Sequence, residues 1–394
     1  MNNVLNTNEK YIILLLKSIL NNSIPPEKPE DVSFEKIYSL AKYHNIDNML
    51  FYAINKLKNK PSSELLKIWK ERCYKGISRD LIQKMELDKI LDSFEKNKIK
   101  NIVLKGFELK KLYPKSDMRF MSDIDILISK KDAEKVSLIM TELGYKIISY
   151  GKEKDDVYFK DPIMNVEIHN ALFDVQYKEY NSLFKTLDKM EKIIPKTKYQ
   201  YNFSDEDFFL FLFVHTVKHY LSYGIGIRVV MDIYIYLKAK EKTLNWEYIN
   251  DSLNKLKLYD FFKVFNHFTK VWFEDEKENE IDIEIGKYIF RSGTYGNEKN
   301  NRLNSLLLIE GKNSSQNKAK FILSIMFPSL GLMQVGYPIL KSFPFLLPIF
   351  YVIRGIKIIL FKRKRLNQFN SILKVTEDEL RKRKEIFLKI GLKK

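Results

Sequence analysis

A single cysteine, Cys73, excludes an internal disulfide and a cysteine-based zinc site. Its neighbours in WKERCYKG read as a helix carrying an inert thiol. A secretory leader is also missing from the pattern. The opening MNNVLNTNEKYIILLLKSIL has a short apolar run, but Glu9 precedes it, Lys17 interrupts it and no small-residue cleavage site follows. An amphipathic first helix and a reduced, cytoplasmic location are the expectation. There is no internal repeat and no low-complexity tract. Nor is there a long unbroken hydrophobic span. Leu332 to Phe361 is the most hydrophobic stretch, yet Lys341, Arg354 and Lys357 divide it and Pro338, Pro344 and Pro348 break it, whereas a spanning helix needs about 20 predominantly apolar residues. This stretch runs into KRKR at Lys362 to Arg365. Residues 332–365 therefore suit either a peripheral contact with anionic lipid at the inner face of a membrane or an aromatic-rich cap packed on a helical domain.

Charge is present in excess of one sign. Lys and Arg number 68 against 50 Asp and Glu, a net charge of +18, while 45% of residues are apolar and supply a real core. The balance favours an anionic partner, although a composition heavy in Lys, Asn and Ile accounts for part of it. The lysines are scattered, with no aromatic-interleaved basic stripe and no known RNA module, which disfavours nucleic acid as the partner.

At 394 residues the chain exceeds one typical domain. The helical period runs from Asn8 to about Lys98, with breaks near Pro25, Pro26 and Pro61. It then gives way to short strands: KNIVLKG, FMSDIDILIS, KIISY, DVYFK and NVEIHNAL, with a helix closed by Gly144 among them. Helices return after Pro195, the first capped by Ser204. The expected fold class is α+β, a small mixed β-sheet core flanked by N-terminal and C-terminal helical regions. The expected divisions are a helical region over 1–99, the α/β core over 100–200, a helical domain over 201–320 and a hydrophobic, basic tail over 321–394.

Within SDIDILI, Asp123 and Asp125 project on one side of a strand while Ile124, Ile126 and Ile128 point to the other. Two carboxylates so close repel unless a proton or a cation lies between them. Magnesium suits this need, since it takes oxygen ligands and binds one or two carboxylates together with substrate phosphates; Mn2+ can stand in its place. Glu167, in the strand NVEIHNAL, is a third acid that a neighbouring strand could bring alongside, and three carboxylates can hold two metal ions roughly 4 Å apart. Gly106, at a strand-to-helix junction, lets backbone N–H groups approach a phosphate, with Lys105 adjoining. Arg119 could neutralise a triphosphate or pair with Asp117 or Asp123. His169, two residues after Glu167, could position an acceptor or act as a base, or serve as a structural hydrogen-bonding histidine. His215 and His219 lie four apart on a helix beside Lys218. That spacing permits a zinc pair, but no HExxH glutamate or third ligand accompanies it. Arg228 and Asp232, also four apart, read as an ordinary side-chain pair, with a role for Asp232 in holding a basic group of the cleft as the alternative. His44 and His267 read as structural.

The motifs VLKG, RFMSDIDILI, VEIHNAL, FLFVHTVKHYL and IRVVMDIYIYL together resemble the bacterial family called uncharacterised nucleotidyltransferases, in the superfamily of DNA polymerase β and the aminoglycoside nucleotidyltransferases. The resemblance covers roughly Phe34 to Trp246, and AKYHNIDNML around His44 also fits. It implies a metal-dependent transfer of a nucleoside monophosphate from an NTP, ATP first, to a hydroxyl or phosphate of a small-molecule, peptide or saccharide acceptor. Asp123, Asp125 and Glu167 would be the catalytic metal ligands. Lys105, Gly106, Arg119, His215, Lys218 and His219 would meet the nucleotide, and His169 and Asp232 the acceptor. The superfamily usually has Gly-Ser at the turn, whereas this chain has Gly106-Phe107, so Lys105 or the backbone must replace the serine contact. The rival readings are a template-independent RNA-modifying polymerase and an inactive, membrane-associated protein on the same scaffold.

Overall fold

The structure, a computed structural model, describes residues 5–151, 155–174, 177–184, 194–309, 314–361 and 372–392. The chain divides into two compact units, one of residues 1–218 and 225–295, the other of 219–224 and 296–394. The expected basic cluster Lys362 to Arg365 lies outside the described residues.

The first unit opens with helices α1 (Thr7–Leu20), α2 (Phe34–Tyr43), α3 (Asp47–Ile54) and the long α4 (Ser63–Lys96). A capping box between Asn6 and Glu9 starts α1, satisfying two N–H groups that no helical carbonyl can reach. Then follow β1 (Asn101–Val103), α5 (Gly106–Lys110), β2 (Ile124–Ile128), α6 (Ala133–Glu142), β3 (Lys146–Ser149), β4 (Asp155–Lys160), β5 (Met164–His169), α7 (Lys178–Ser182) and β6 (Gln200–Tyr201). Helix α6 ends at Gly144, whose φ of +84° is a left-handed conformation open to glycine.

The six strands form one mixed sheet in the order β3-β4-β5-β2-β1-β6, as the α+β expectation required. β2 is parallel to β5 and antiparallel to β1, and β4 is antiparallel to β5. One face of this sheet is covered. Ile124, Ile126, Ile128, Val166 and Ile168 pack with Leu87, Ile90 and Phe94 of α4 and with Val136, Ile139 and Met140 of α6. Each such side chain contributes about 1.5–3 kcal/mol on burial, and a register slip of one residue would exchange these isoleucines for aspartates. Hydrophobic burial therefore fixes which way the acids point.

Polar residues buried on the middle of α4 hold the segment that leads into β2. Asp80 Oδ1 accepts from Lys110 Nζ at 2.5 Å, and Gln83 Nε2 donates to the Met121 carbonyl at 3.1 Å. Tyr52 donates to Asp117 at 2.9 Å, and Asn48 bonds the Asp117 carbonyl. Burial pulls the Lys110 ammonium pKa down against the pull of Asp80.

After β6 the unit continues through α8 (Asp205–Tyr220), α9 (Ile227–Lys240), α10 (Trp246–Lys255), α11 (Tyr259–Phe273) and α12 (Glu280–Ser292). The Ser204 hydroxyl accepts from the Asp207 N–H at 3.1 Å, the cap the sequence indicated. Phe209, Phe213, Phe262 and Phe265 form an aromatic core between α8 and α11. His44 is buried with Nε2 3.2 Å from the Phe290 carbonyl, and His267 lies 3.2 Å from Asp282. Cys73 is buried.

The second unit contains α13 (Glu298–Leu308), α14 (Ser314–Met326), α15 (Leu330–Gly336), α16 (Ile339–Ser342), α17 (Leu347–Phe361) and a final helix, Glu377–Lys389. Leu303, Leu306, Ile372, Val375 and Leu380 form its small core. Among the described residues no helix is long and apolar enough to cross a membrane.

Candidate active site

The acids sit where the parallel pair β2 and β5 meets. Asp125 lies directly opposite Glu167 in register, and Leu127 opposite His169. On the far side of β5, Asp155 of β4 lies opposite His169. Strand alternation brings all these polar side chains to the face that α4 and α6 leave uncovered.

Ligand atoms of Asp125, Glu167 and His169 all lie within 4.8 Å of one another, a donor set able to hold a metal ion. His169 Nε2 is 2.7 Å from Asp125 Oδ1 and 3.8 Å from Glu167 Oε2, while Nδ1 is 2.5 Å from Asp155 Oδ1. The Nδ1 contact with Asp155 is an ion pair when the imidazole carries its second proton. Burial pulls the His169 pKa down, but Asp125 and Asp155 outweigh it and the net shift is upward. The imidazolium thus lies between two carboxylates.

The remaining charge is not balanced. Burial, then repulsion from Asp125 and Asp123, pushes the Glu167 carboxyl up to about 7. Burial and repulsion from Asp125 also raise Asp123, against the pull of Ser122 and Lys105. Net negative charge gathered on oxygen donors fits a divalent cation. Four acids, Asp123, Asp125, Asp155 and Glu167, gather around one histidine, with Lys105 and Arg228 drawing on Asp123.

Lys105 precedes α5 with φ +35° and ψ −87°, a strained backbone for a residue with a Cβ. Its Nζ is 2.7 Å from His215 Nε2 of α8 and lies 5.4 Å from the centre of the Phe211 ring. Beside it Gly106 has no room for a side chain, since a Cβ there would come within 2.1 Å of Met121 Sδ and 3.0 Å of Arg119 Nη1. The strand-to-helix turn is therefore packed directly against the segment that carries the aspartates. One turn along α8 from His215, Lys218 Nζ pairs with Asp174 at 2.8 Å and stands over the Tyr177 ring. His219 belongs to the second unit. Among the described residues, His215 and His219 are not part of a three-ligand metal cluster.

Two expectations need correction. Arg119 pairs with neither Asp117 nor Asp123. It is buried, and its Nε and Nη2 donate to the two oxygens of Asp232 at 2.7 and 2.8 Å. Burial pulls the guanidinium pKa down, but Asp232 more than compensates. Correspondingly, Asp232 does not pair with Arg228. It also accepts from Tyr113 at 2.8 Å, while Arg228 Nη1 donates to the Phe120 carbonyl at 2.8 Å. Arg119 and Asp232 therefore form a buried brace behind the turn, with Nη1 toward Gly106.

The sequence pattern does not single out Asp155, Asp80 or Gln83. The available signal was the acid Asp155 immediately before DVYFK and polar residues on the otherwise apolar stripe of α4.

A family model for uncharacterised nucleotidyltransferases matches residues 30–274. No curated protein matches the chain. A solved structure of the antibiotic-resistance factor ANT(2'')-Ia, described as revealing substrate-regulated conformation dynamics, is similar at 12% identity over 45% of this chain and 92% of that chain. The TM-score is 0.33, too low for that likeness to carry an argument.

Proposed function

Because the chain belongs to the uncharacterised nucleotidyltransferase family, we propose that it moves a nucleoside monophosphate from an NTP, ATP first, to a hydroxyl or phosphate of a small acceptor. The observation that supports this most is the in-register pairing of Asp125 with Glu167, with Asp123 two residues before Asp125. Acids raised by mutual repulsion have a use when a cation and a triphosphate arrive together.

Asp123, Asp125 and Glu167 would hold Mg2+, or Mn2+ in its place. A bound divalent ion supplies neutralisation of the triphosphate charge and a lowered pKa for the attacking oxygen. The chain's own residues do the rest. His169, held between Asp125 and Asp155, fixes the direction of the Asp125 carboxylate. Lys105 and the backbone N–H groups at Gly106 receive the β and γ phosphates, replacing the serine contact that Phe107 removes. His215 holds Lys105 in place. Lys218 lines the same side from α8, and Arg119 with Asp232 braces the turn from behind.

In the reaction the acceptor oxygen forms a bond to the α-phosphorus, the bond from that phosphorus to the bridging oxygen breaks, and pyrophosphate leaves. Glu167, opposite Asp125 in register, would be placed to help take the acceptor's proton. Most of the acceleration then comes from positioning and charge stabilisation.

The test is incubation with Mg2+, each NTP labelled in the α-phosphate, and a metabolite extract, followed by mass spectrometry. The expected product gains the mass of a nucleoside monophosphate. A gain of phosphate alone would reassign the protein to phosphoryl transfer.

A further inference from the structure

Between Glu310 and Glu377 the sequence contains no acidic residue, yet it carries eight lysines and three arginines. That is +11 of the chain's +18 in about a sixth of its length. The same segment, all in the second unit, exposes large apolar side chains. Leu332 is 68% exposed, Phe345 74%, Ile349 56%, Val352 63% and Ile356 51%. Ile349, Val352 and Ile356 are spaced three and four apart and so share one face of α17. The opposite side of α17 packs. Tyr351 donates to the Pro328 carbonyl and meets Phe327 edge to face, Arg354 donates to the Ile325 carbonyl, and Phe350 meets Tyr337.

Contiguous apolar surface left in water by a folded unit marks an interaction site. The charge says what kind. We propose that the face of α17, continued by Phe343 and Phe345, lies on an anionic lipid bilayer, with its side chains in the headgroup and acyl boundary and the surrounding cations against lipid phosphates. Helix α17 has 15 residues, so it lies along the surface and does not cross. Lys341 and Lys357 are exposed at its margins, and the basic run Lys362 to Arg365 follows directly in sequence. A nucleic acid would use the cations but has no place for a ridge of isoleucine and valine. A second copy of the chain would bring the same positive charge to the interface and be repelled.

The experiment is cosedimentation of the full chain with vesicles of phosphatidylcholine alone and with about one third phosphatidylglycerol. Binding should be at least about tenfold tighter with the anionic lipid and should weaken as salt is raised. Val352→Glu combined with Ile356→Glu should weaken it by about tenfold again while leaving the melting temperature unchanged, because both side chains are exposed. Four outcomes would overturn the proposal: no sedimentation with anionic vesicles; binding equal on both lipids; binding indifferent to the two glutamates; or a stable dimer that the glutamates dissociate without any uptake on lipid. RNA that displaces the chain from vesicles while binding the glutamate variant equally well would also overturn it, by assigning the charge to nucleic acid.

Discussion

Replacing Glu167 by glutamine should stabilise the metal-free protein above neutral pH. In the fold, burial and the charges of Asp125 and Asp123 push this carboxyl up from 4.5 to about 7. Between those two values the folded state retains a proton that the unfolded chain has released, so stability falls as pH rises through that window. Above pH 7 the full penalty is present. Each pKa unit is worth about 1.4 kcal/mol, which makes the penalty roughly 3 kcal/mol at pH 8. For a unit of this size the unfolding entropy is on the order of 0.6 kcal/mol per kelvin, so the gain in melting temperature is about 5 °C. Glutamine keeps the shape and removes the charge. Scanning calorimetry of wild type and E167Q, in chelator, from pH 4 to 8.5 should show melting temperatures that nearly coincide at the acid end, diverge as pH rises from about 4.5 and reach their full difference above pH 7. Added Mg2+ with a non-hydrolysable NTP should then raise the wild type more than the variant. A difference independent of pH, or a variant less stable at pH 8, would refute the claim that uncompensated carboxylate repulsion is built into this site.

Asp123→Asn and Asp125→Asn should each lower nucleotidyl transfer by at least about a thousandfold, the first with no loss of melting temperature and the second with some, since it removes one counter-charge of the buried His169; either variant consuming NTP at the wild-type rate would remove the assignment. Gly106→Ala should destabilise the fold by about 1–3 kcal/mol through the clash with Met121, and Met121→Ala in the same chain should recover part of the loss in urea unfolding. Asp232→Asn leaves the buried Arg119 without its counter-charge and should cost about 3–5 kcal/mol, whereas Arg228→Ala, which the sequence suggested as the partner, should cost far less. His44 is buried and its pKa falls to about 4 from 6.5, so the unfolded chain takes up a proton first on acidification. It should account for roughly 3 kcal/mol of stability lost between pH 6.5 and 4, and His44→Gln should flatten the dependence of unfolding free energy on pH in that window.

How far the site could be read in advance follows the range of the interactions. Asp123, Asp125 and Glu167 were legible because a period of two is local and the isoleucines between them declare the buried face. Gly106 was legible as a turn next to a strand. The ion pair of His169 with Asp155 was not, because it depends on β4 lying beside β5 in one particular register, and strand order is absent from any local pattern. The brace between Arg119 and Asp232 joins residues 113 apart, and the four-residue spacing of Arg228 and Asp232 pointed to a nearer partner that tertiary packing overrode. Asp80 and Gln83 on α4 looked like ordinary polar positions, yet they face inward to hold Lys110 and Met121. Helices were readable throughout from their period and caps, and Ser204 and Gly144 end or begin them where expected.

The most direct measurement is titration of Mn2+ by electron paramagnetic resonance in the presence of a non-hydrolysable NTP. Wild type should bind saturably, and D125N and E167Q, which remove the two facing carboxylates, should each weaken binding by at least about tenfold. Unchanged Mn2+ affinity in both variants would contradict the account.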